Sequence, residues 1–212
     1  NNWGSNNFEW SNDFNSEFRI NAGATYKHTG INLDAGLDYA LITNMLYFNA
    51  EAMPDQYDGV VSVLSARLNK NFSFWKLHFD NSILIQTSSN SSVLDFPLLC
   101  ARTAFYFDHE FYFKSTGGRL QTQLGFEAEY NTEYYSYAFM PATGVFYLQD
   151  EIKTGNYPVI NVFANIKIKR TRIFVGFDHV NYGLMGYDYF QSPYYPMNIR
   201  MFKYGIAWTF YN

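Results

Sequence analysis

The sequence lacks most of the features that mark common soluble and membrane-spanning folds. It has one cysteine, Cys100, so it cannot form an intramolecular disulfide, and no metal-ligand spacing surrounds that residue. No run of about 18 apolar residues occurs, which excludes a transmembrane helix. The chain has no basic run or patch, so nucleic acid is not an expected partner.

Chemistry-bearing motifs are equally scarce. The Asp-His-Glu triplet at 108–110 is interpreted as a tight turn, where charged residues are expected in any case. Each of the four histidines is interpreted as a solvated residue in a turn or a lumen. Asp55, Gln56 and Asp58 could ligate a cation, but no final bidentate Glu follows at the spacing of a calcium loop. We therefore predict no catalytic residue, no metal site and no cofactor.

Aromatic residues, by contrast, are abundant, with 19 Tyr and 21 Phe in 212 residues. The segment from Arg119 to Tyr130 indicates how they are used. Its even-numbered residues from Leu120 onward are mainly apolar, whereas most of its odd-numbered residues are charged or amide-bearing. A period of two predicts a β-strand with one apolar and one polar face.

The same alternation predicts nine strands. They run from Phe18 to Tyr26, Ile31 to Leu41, Leu64 to Leu68, Leu77 to Ile85, Leu99 to Phe107, Arg119 to Tyr130, Ile160 to Ile168, Ile173 to Phe177 and Phe202 to Phe210. A weaker tenth strand is predicted around Phe8 and Trp10. A bulge is predicted at Gly117-Gly118, where the alternation changes phase.

Formal charges are confined to one face of these predicted strands. The residues that would line a water-filled lumen are Arg19, Lys27, Asp34, Asp38, Arg67, Asp80, Arg102, Arg119, Gln123, Glu127, Glu129 and Lys167. An Arg or Lys on a lipid-facing position at mid-bilayer costs about 2–4 kcal/mol, which explains its exclusion from the apolar face.

The predicted connections alternate between short and long. Short turns are predicted at His28–Gly30, Lys70–Trp75, Asp108–Glu110 and Lys169–Arg172, and long connections at Thr43–Gly59, Ser88–Pro97, Asn131–Pro158 and Asn181–Asn198. Up-and-down antiparallel strands with loops elaborated at one end give this pattern. A soluble sandwich or lipocalin-like barrel, with its apolar face inward, remains the alternative. Strand length, aromatic residues near strand ends and the polar opposite face favour the membrane version.

Three segments also carry a resemblance to a known family. They are 135–149 (YSYAFMPATGVFYLQ), 155–172 (GNYPVINVFANIKIKRTR) and 189–212 (YFQSPYYPMNIRMFKYGIAWTFYN), and a less specific stretch covers 83–94. They resemble the putative porin family of the Bacteroidota, from about Val60 onward. The resemblance implies an all-β, transmembrane antiparallel up-and-down β-barrel in the cell outer membrane. This chain would supply about ten strands, either as one domain over residues 1–212 or as the C-terminal portion of a larger barrel.

The expected function is passive passage of small polar solutes, with membrane lipid outside the barrel and no bond made or broken. The alternative is a non-conducting barrel that acts as a subunit or scaffold of an outer-membrane secretion, assembly or uptake complex. An unusually aromatic loop bears on this choice, because it could constrict the lumen, dock another outer-membrane protein or extend the flanking strands. Its residues are Tyr134, Tyr135, Tyr137, Phe139, Phe146 and Tyr147.

Overall fold

The computed structural model describes residues 3–5, 8–114, 118–186 and 189–210. One 3-10 helix, Thr29–Ile31, is present. The strands are β1 (Trp3–Ser5), β2 (Phe8–Glu9), β3 (Phe18–His28), β4 (Leu33–Thr43), β5 (Leu46–Phe48), β6 (Pro54–Gln56), β7 (Val60–Phe74), β8 (Leu77–Ser88), β9 (Leu99–Phe113), β10 (Gly118–Asn131), β11 (Ala138–Met140), β12 (Val145–Tyr147), β13 (Val159–Ile168), β14 (Thr171–Asp178), β15 (Phe190–Ser192), β16 (Tyr195–Pro196) and β17 (Met201–Trp208). None of the described residues belongs to a helix long and apolar enough to cross a membrane.

Nine of these strands form one antiparallel sheet in the order β3-β4-β7-β8-β9-β10-β13-β14-β17. Each strand therefore pairs with the next long strand along the chain, which is the predicted up-and-down order. The remaining strands form four two-stranded hairpins outside the sheet. Within the described residues β3 and β17 are edge strands and do not pair with each other, so the sheet is open.

The nine predicted strands correspond to the nine strands of the sheet. The weaker tenth strand, near Phe8, is β2, which pairs with β1 and does not join the sheet. The sheet therefore has nine strands where about ten were predicted. Of the predicted bulge, Gly117 lies outside the described residues, and Gly118 pairs with Phe113 as the first residue of β10.

The connections alternate in length as predicted, but two predicted turns were misplaced. Asp108–Glu110 lies inside β9, which continues to Phe113, so the prediction of a turn there was wrong. The turn predicted at Lys70–Trp75 is shorter, because β7 continues to Phe74 and β8 begins at Leu77. Both predictions relied on polar residues. Such residues are common in turns, but they are equally common on the polar face of a strand.

The pairing register brings the apolar stripes of all nine strands onto one face. Ile20 lies opposite Leu41, Leu68 opposite Ile83, and Phe105 opposite Phe126, and this pattern continues to the last strand. Large side chains on this face are exposed, with Phe18 at 60% and Tyr204 at 75%. Nine strands about 4.8 Å apart, the shortest of them 8 residues long, make an apolar face of at least roughly 1,000 Å². Soluble monomers rarely expose more than a few hundred Å² of continuous apolar surface.

The buried apolar residues lie at the end of the sheet where the long connections begin. The long connections are residues 44–59, 89–98, 132–158 and 179–200, and we call them together the loop layer. Ile42, Met45, Val61 and Val93 form a buried apolar cluster there. Backbone and side-chain hydrogen bonds, such as that from the Leu148 N–H to the Phe48 carbonyl (2.9 Å), join different connections. The hydrophobic core of this chain is therefore in the loop layer rather than between two sheets.

Candidate functional site

All twelve residues predicted to line a lumen lie on the face of the sheet opposite the apolar stripes. Lys27 is directly opposite Asp34, Glu129 is opposite Arg102, and Lys167 is opposite Gln121. The same face carries the other predicted positions, which are Arg19, Asp38, Arg67, Asp80, Arg119, Gln123 and Glu127. We call this surface the polar face. The structure therefore brings these residues together as a sheet surface.

Opposite charges on the polar face are paired side by side across neighbouring strands. Arg102 of β9 contacts Glu127 (3.0 Å) and Glu129 (3.3 Å) of β10. Arg119 lies 3.5 Å from Glu110, and Lys203 pairs with Asp178. Such exposed pairs each contribute at most about 1 kcal/mol to stability. Together they fix alternating charges along the surface.

Tyr106, Phe163 and Phe174 also lie on the polar face, although they were not among the residues predicted to line a lumen. Tyr106, Phe163 and Phe174 pair across strands with Gly125, Gly176 and Gly205 respectively. The Phe174 ring covers Gly205 so closely that an added Cβ there would lie 2.2 Å from it. The signal was available, because a period of two places each of these rings among polar residues of its own strand.

Three depressions follow one another along β10 on the polar face. The first, of about 560 Å³, is lined by Glu129 and Asn131 of β10. The second, of about 570 Å³, reaches Glu127 and Gln123, and the third, of about 470 Å³, reaches Gln123 and Gln121. Because these residues alternate along one strand, the depressions form a continuous track from the loop layer toward the short turns.

Loop residues cover the outer end of this track. Tyr134, Tyr157 and Phe190 line the first depression together with polar-face residues Arg102 and Glu129. Segments of the third and fourth long connections therefore lie over the polar face where it meets the loop layer. Of the six loop aromatics singled out in the sequence, Tyr134 lies in this position.

The other five predicted loop aromatics are held inside the loop layer or on its surface. The Tyr135 N–H donates to Asp95 (2.8 Å), and the Tyr137 hydroxyl donates to the Val93 carbonyl (3.1 Å). Burial and the neighbouring Asp95 raise the pKa of Tyr137. The remaining three, Phe139, Phe146 and Tyr147, belong to the β11–β12 hairpin, in which the Phe139 and Phe146 rings lie 5.2 Å apart. This hairpin is separate from β10 and β13, so the loop does not simply extend those strands.

A buried polar cluster fixes the fourth long connection. The His179 ring contacts the Tyr157 hydroxyl (2.7 Å) through Nε2 and the Asn198 carbonyl (2.6 Å) through Nδ1. Asn181 donates to the Tyr157 hydroxyl (3.1 Å) and to the Pro158 carbonyl (2.6 Å). Burial raises the pKa of Tyr157. His179 was interpreted as a solvated residue, and that was wrong, because the folded loop removes it from water.

The Asp-His-Glu triplet cannot act as one chemical group in this fold. Within β9 the side chains of Asp108 and Glu110 lie on the polar face, whereas that of His109 lies on the apolar face. In the part of the chain that the structure describes, no three His, Cys, Asp or Glu side chains are grouped to hold a metal ion.

A comparison with known protein families now bears on this geometry. One family model, described as putative porin, matches residues 1–212. The chain belongs to the putative porin family. The match includes residues before Val60, where the sequence segments had shown no resemblance, and membership implies association with a membrane. No curated protein sequence and no solved structure matches this family member significantly.

Proposed function

We propose that the polar face is part of the inner wall of an outer-membrane β-barrel through which small polar solutes pass passively. The observation that carries this proposal is the segregation of the two faces over all nine strands. One registered surface holds the charged and amide side chains, and the other holds the apolar ones. Membership of the putative porin family supports the same reading.

The apolar face supports placement against lipid. Its roughly 1,000 Å² would be unfavourable in water, since each buried Å² of apolar surface stabilises by about 25 cal/mol. Some polar exceptions on this face are compensated locally. Asn81, for example, accepts a hydrogen bond from Thr103 (2.8 Å) and donates to the Lys70 carbonyl (3.2 Å), so its amide is satisfied within the sheet.

The polar face supports contact with water and with solutes. Paired charges and amides provide hydrogen-bonding sites along the track of depressions, and passage requires no bond to be made or broken. The protein would therefore act without catalysis. In outer-membrane barrels the longer loops face the cell exterior, which would place the loop layer outside and the short turns in the periplasm.

Charge is also distributed along the axis of the proposed pore. The described residues of the short turns carry the cations Lys76, Lys114, Lys169 and Arg170 and no carboxylate. The described residues before β3 and in the loop layer carry ten carboxylates against two cations, Lys153 and Arg200. A solute approaching from the loop layer would therefore meet a negative potential before it reached the paired charges of the polar face.

Single-channel recording in planar bilayers tests the proposal. The protein should give stable open currents. Gln123→Trp places a larger side chain on the track and should reduce the conductance, whereas Phe126→Trp, three residues away on the apolar face, should leave it unchanged. Silent bilayers, or equal effects of the two substitutions, would contradict the proposed pore.

A second candidate is a non-conducting subunit or scaffold of an outer-membrane complex. It is favoured by apolar side chains exposed in the long connections, notably Phe146 (60%), Leu184 (78%) and Met185 (54%). Exposed apolar groups at the tips of loops are suited to protein contacts. Absence of current together with a stoichiometric co-purifying outer-membrane protein would favour this candidate over the pore.

A further inference from the structure

One row of paired residues crosses the polar face and alternates rings with glycines. From β8 to β17 the row reads His78, Tyr106, Gly125, Phe163, Gly176 and Lys203. The rings of His78 and Tyr106 are stacked, with centroids 4.9 Å apart and planes 11° apart. Across Gly125, the Tyr106 and Phe163 rings are 6.4 Å apart. The row thus places flat ring surfaces side by side on a face that is mainly polar.

The glycines make room for these rings and deepen the surface beside them. A Cβ on Gly125 would lie 2.4 Å from the Phe105 carbonyl oxygen and 2.5 Å from the Tyr106 Cβ, so only glycine fits beside the β9 backbone there. Because Gly176 has no side chain, the polar face is recessed between Phe163 and Phe174. The depression of about 570 Å³ lies over it, within the size range of small-molecule sites.

The groups around this depression suit hydroxyls. Gln123, Asn161 and Asn165 line it, and each carries an amide that can both donate and accept. Phe174, which is 47% exposed, and Phe163 offer ring faces beside these amides. A ligand that fits both sets of groups has an apolar face and hydroxyls around its edge.

The charges at the depression are already paired. Glu127 lies 3.0 Å from Arg102, and Asp178 pairs with Lys203. A charged ligand would have to compete with one of these partners or remain uncompensated. A neutral ligand meets no such cost, because it can use the free hydrogen-bonding positions of paired groups.

We infer that this depression is a binding site for a neutral pyranose sugar, with the C–H face of the sugar ring against Phe163 and Phe174 and its hydroxyls on the neighbouring amides. The inference that pyranose sugars are the solutes that pass rests on the proposed pore, since the site lies midway along the track. Binding itself does not require conduction. Transient binding at such a site would favour sugars over other solutes of equal size.

Equilibrium titration of the folded protein in detergent micelles with maltose tests this inference. Sorbitol serves as an acyclic polyol, and glucuronate as a charged ring. Phe163→Leu keeps the apolar volume but removes the flat ring face, and Phe126→Leu makes the same change at the neighbouring position on the apolar face. Aromatic contacts contribute about 0.5–1.5 kcal/mol, so Phe163→Leu should weaken maltose binding by about twofold to tenfold. Phe126→Leu should not change it.

A second variant guards against a folding defect in Phe163→Leu. Gly176→Ala adds a methyl group to the floor of the depression, with its Cβ 3.3 Å from the Val162 carbonyl oxygen, and should also weaken binding. Saturable maltose binding that both polar-face variants weaken, with sorbitol and glucuronate weaker than maltose, would uphold the site. No saturable binding, equal binding of sorbitol, or equal affinity in the wild type and both polar-face variants would overturn it. A protein that gives no current but binds maltose in this way would refute the pore and uphold the site. A protein that conducts but does not bind maltose would uphold the pore and refute the site.

Discussion

The assignment of the two faces can be tested within a single strand by introducing the same charge on each side of β10. Phe126 lies on the apolar face, with its ring 5.7 Å from that of Phe105 and its backbone opposite Val162. Gln123 lies on the polar face and donates to Asp108 (2.9 Å). We predict that Phe126→Arg strongly impairs folding into lipid vesicles, whereas Gln123→Arg is tolerated.

The magnitudes follow from the two environments. At Phe126 an Arg facing lipid near mid-bilayer costs about 2–4 kcal/mol, and the lost aromatic pair adds about 0.5–1.5 kcal/mol, for a total of roughly 3–5 kcal/mol. At Gln123 the new guanidinium stays in water near the Asp108 carboxylate, so the change should remain within about 1 kcal/mol. With a urea m-value of about 2 kcal/mol/M, Phe126→Arg should lower the unfolding midpoint by about 2 M.

Urea titration of the vesicle-reconstituted protein, followed by tryptophan fluorescence, measures both changes. Phe126→Leu is the matched control, since it retains an apolar side chain of similar volume and should cost less than about 1.5 kcal/mol. Equal destabilisation by the two arginines would refute the assignment of the faces. A midpoint lowered only by Gln123→Arg would reverse it.

Three further predictions concern the loop layer and the charged residues within or beside it. In a salt gradient across a planar bilayer the pore should prefer cations. The double variant Glu51→Gln/Asp95→Asn should shift the reversal potential toward zero, most clearly at 0.1 M salt, where the screening length is about 10 Å. Hydrogen bonds from a backbone N–H and an Arg side chain lower the pKa of Glu17. The stability that ionised Glu17 contributes is therefore present above its ordinary pKa and lost as the pH falls through the lowered value. Glu17→Gln should cost about 1 kcal/mol at neutral pH, and a stability–pH profile of this variant should lack that loss at acid pH. Tyr157→Phe removes the hydroxyl that contacts His179 and should increase protease cleavage within residues 179–200, reflecting a loss of about 1–3 kcal/mol. Because burial raises the pKa of Tyr157, the wild type should lose the same protection only as the pH rises through that raised value, and protection that is equal in both proteins at neutral pH would contradict the role of this contact.

The two faces were predictable because side-chain direction in a strand depends only on position along the chain. A residue such as Leu124 faces the same side as Phe126 in any extended segment, whatever its neighbours are. The order of the strands was predictable from their connections, since short turns require neighbouring antiparallel strands. The ends of the strands were harder to predict from the sequence. Asp108 and Glu110 serve a polar face as well as a turn, so their charges could not distinguish the two.

The contacts within the loop layer, and the row of rings and glycines from His78 to Lys203, could not be predicted in this way. The buried state of His179 depends on Tyr157 and Asn198, which come from different parts of the chain. The row depends on the register that sets Tyr106 and Phe163 on either side of Gly125. Alternation gives the face of each residue, but the pairing that brings specific residues together across strands is a tertiary property.

Closure of the proposed barrel is constrained by the direction of its strands. Successive strands of the sheet run in opposite directions, so β3 and β17, the first and ninth, run in the same direction. Pairing them directly would require a parallel ladder, whereas every pair in the described sheet is antiparallel. Two copies with their loop layers on the same side would meet the same obstacle where β3 of one faced β17 of the other. Unpaired backbone groups in lipid cost several kcal/mol each, so an open edge is not stable there. A purely antiparallel wall therefore closes only when an odd number of strands is added to these nine.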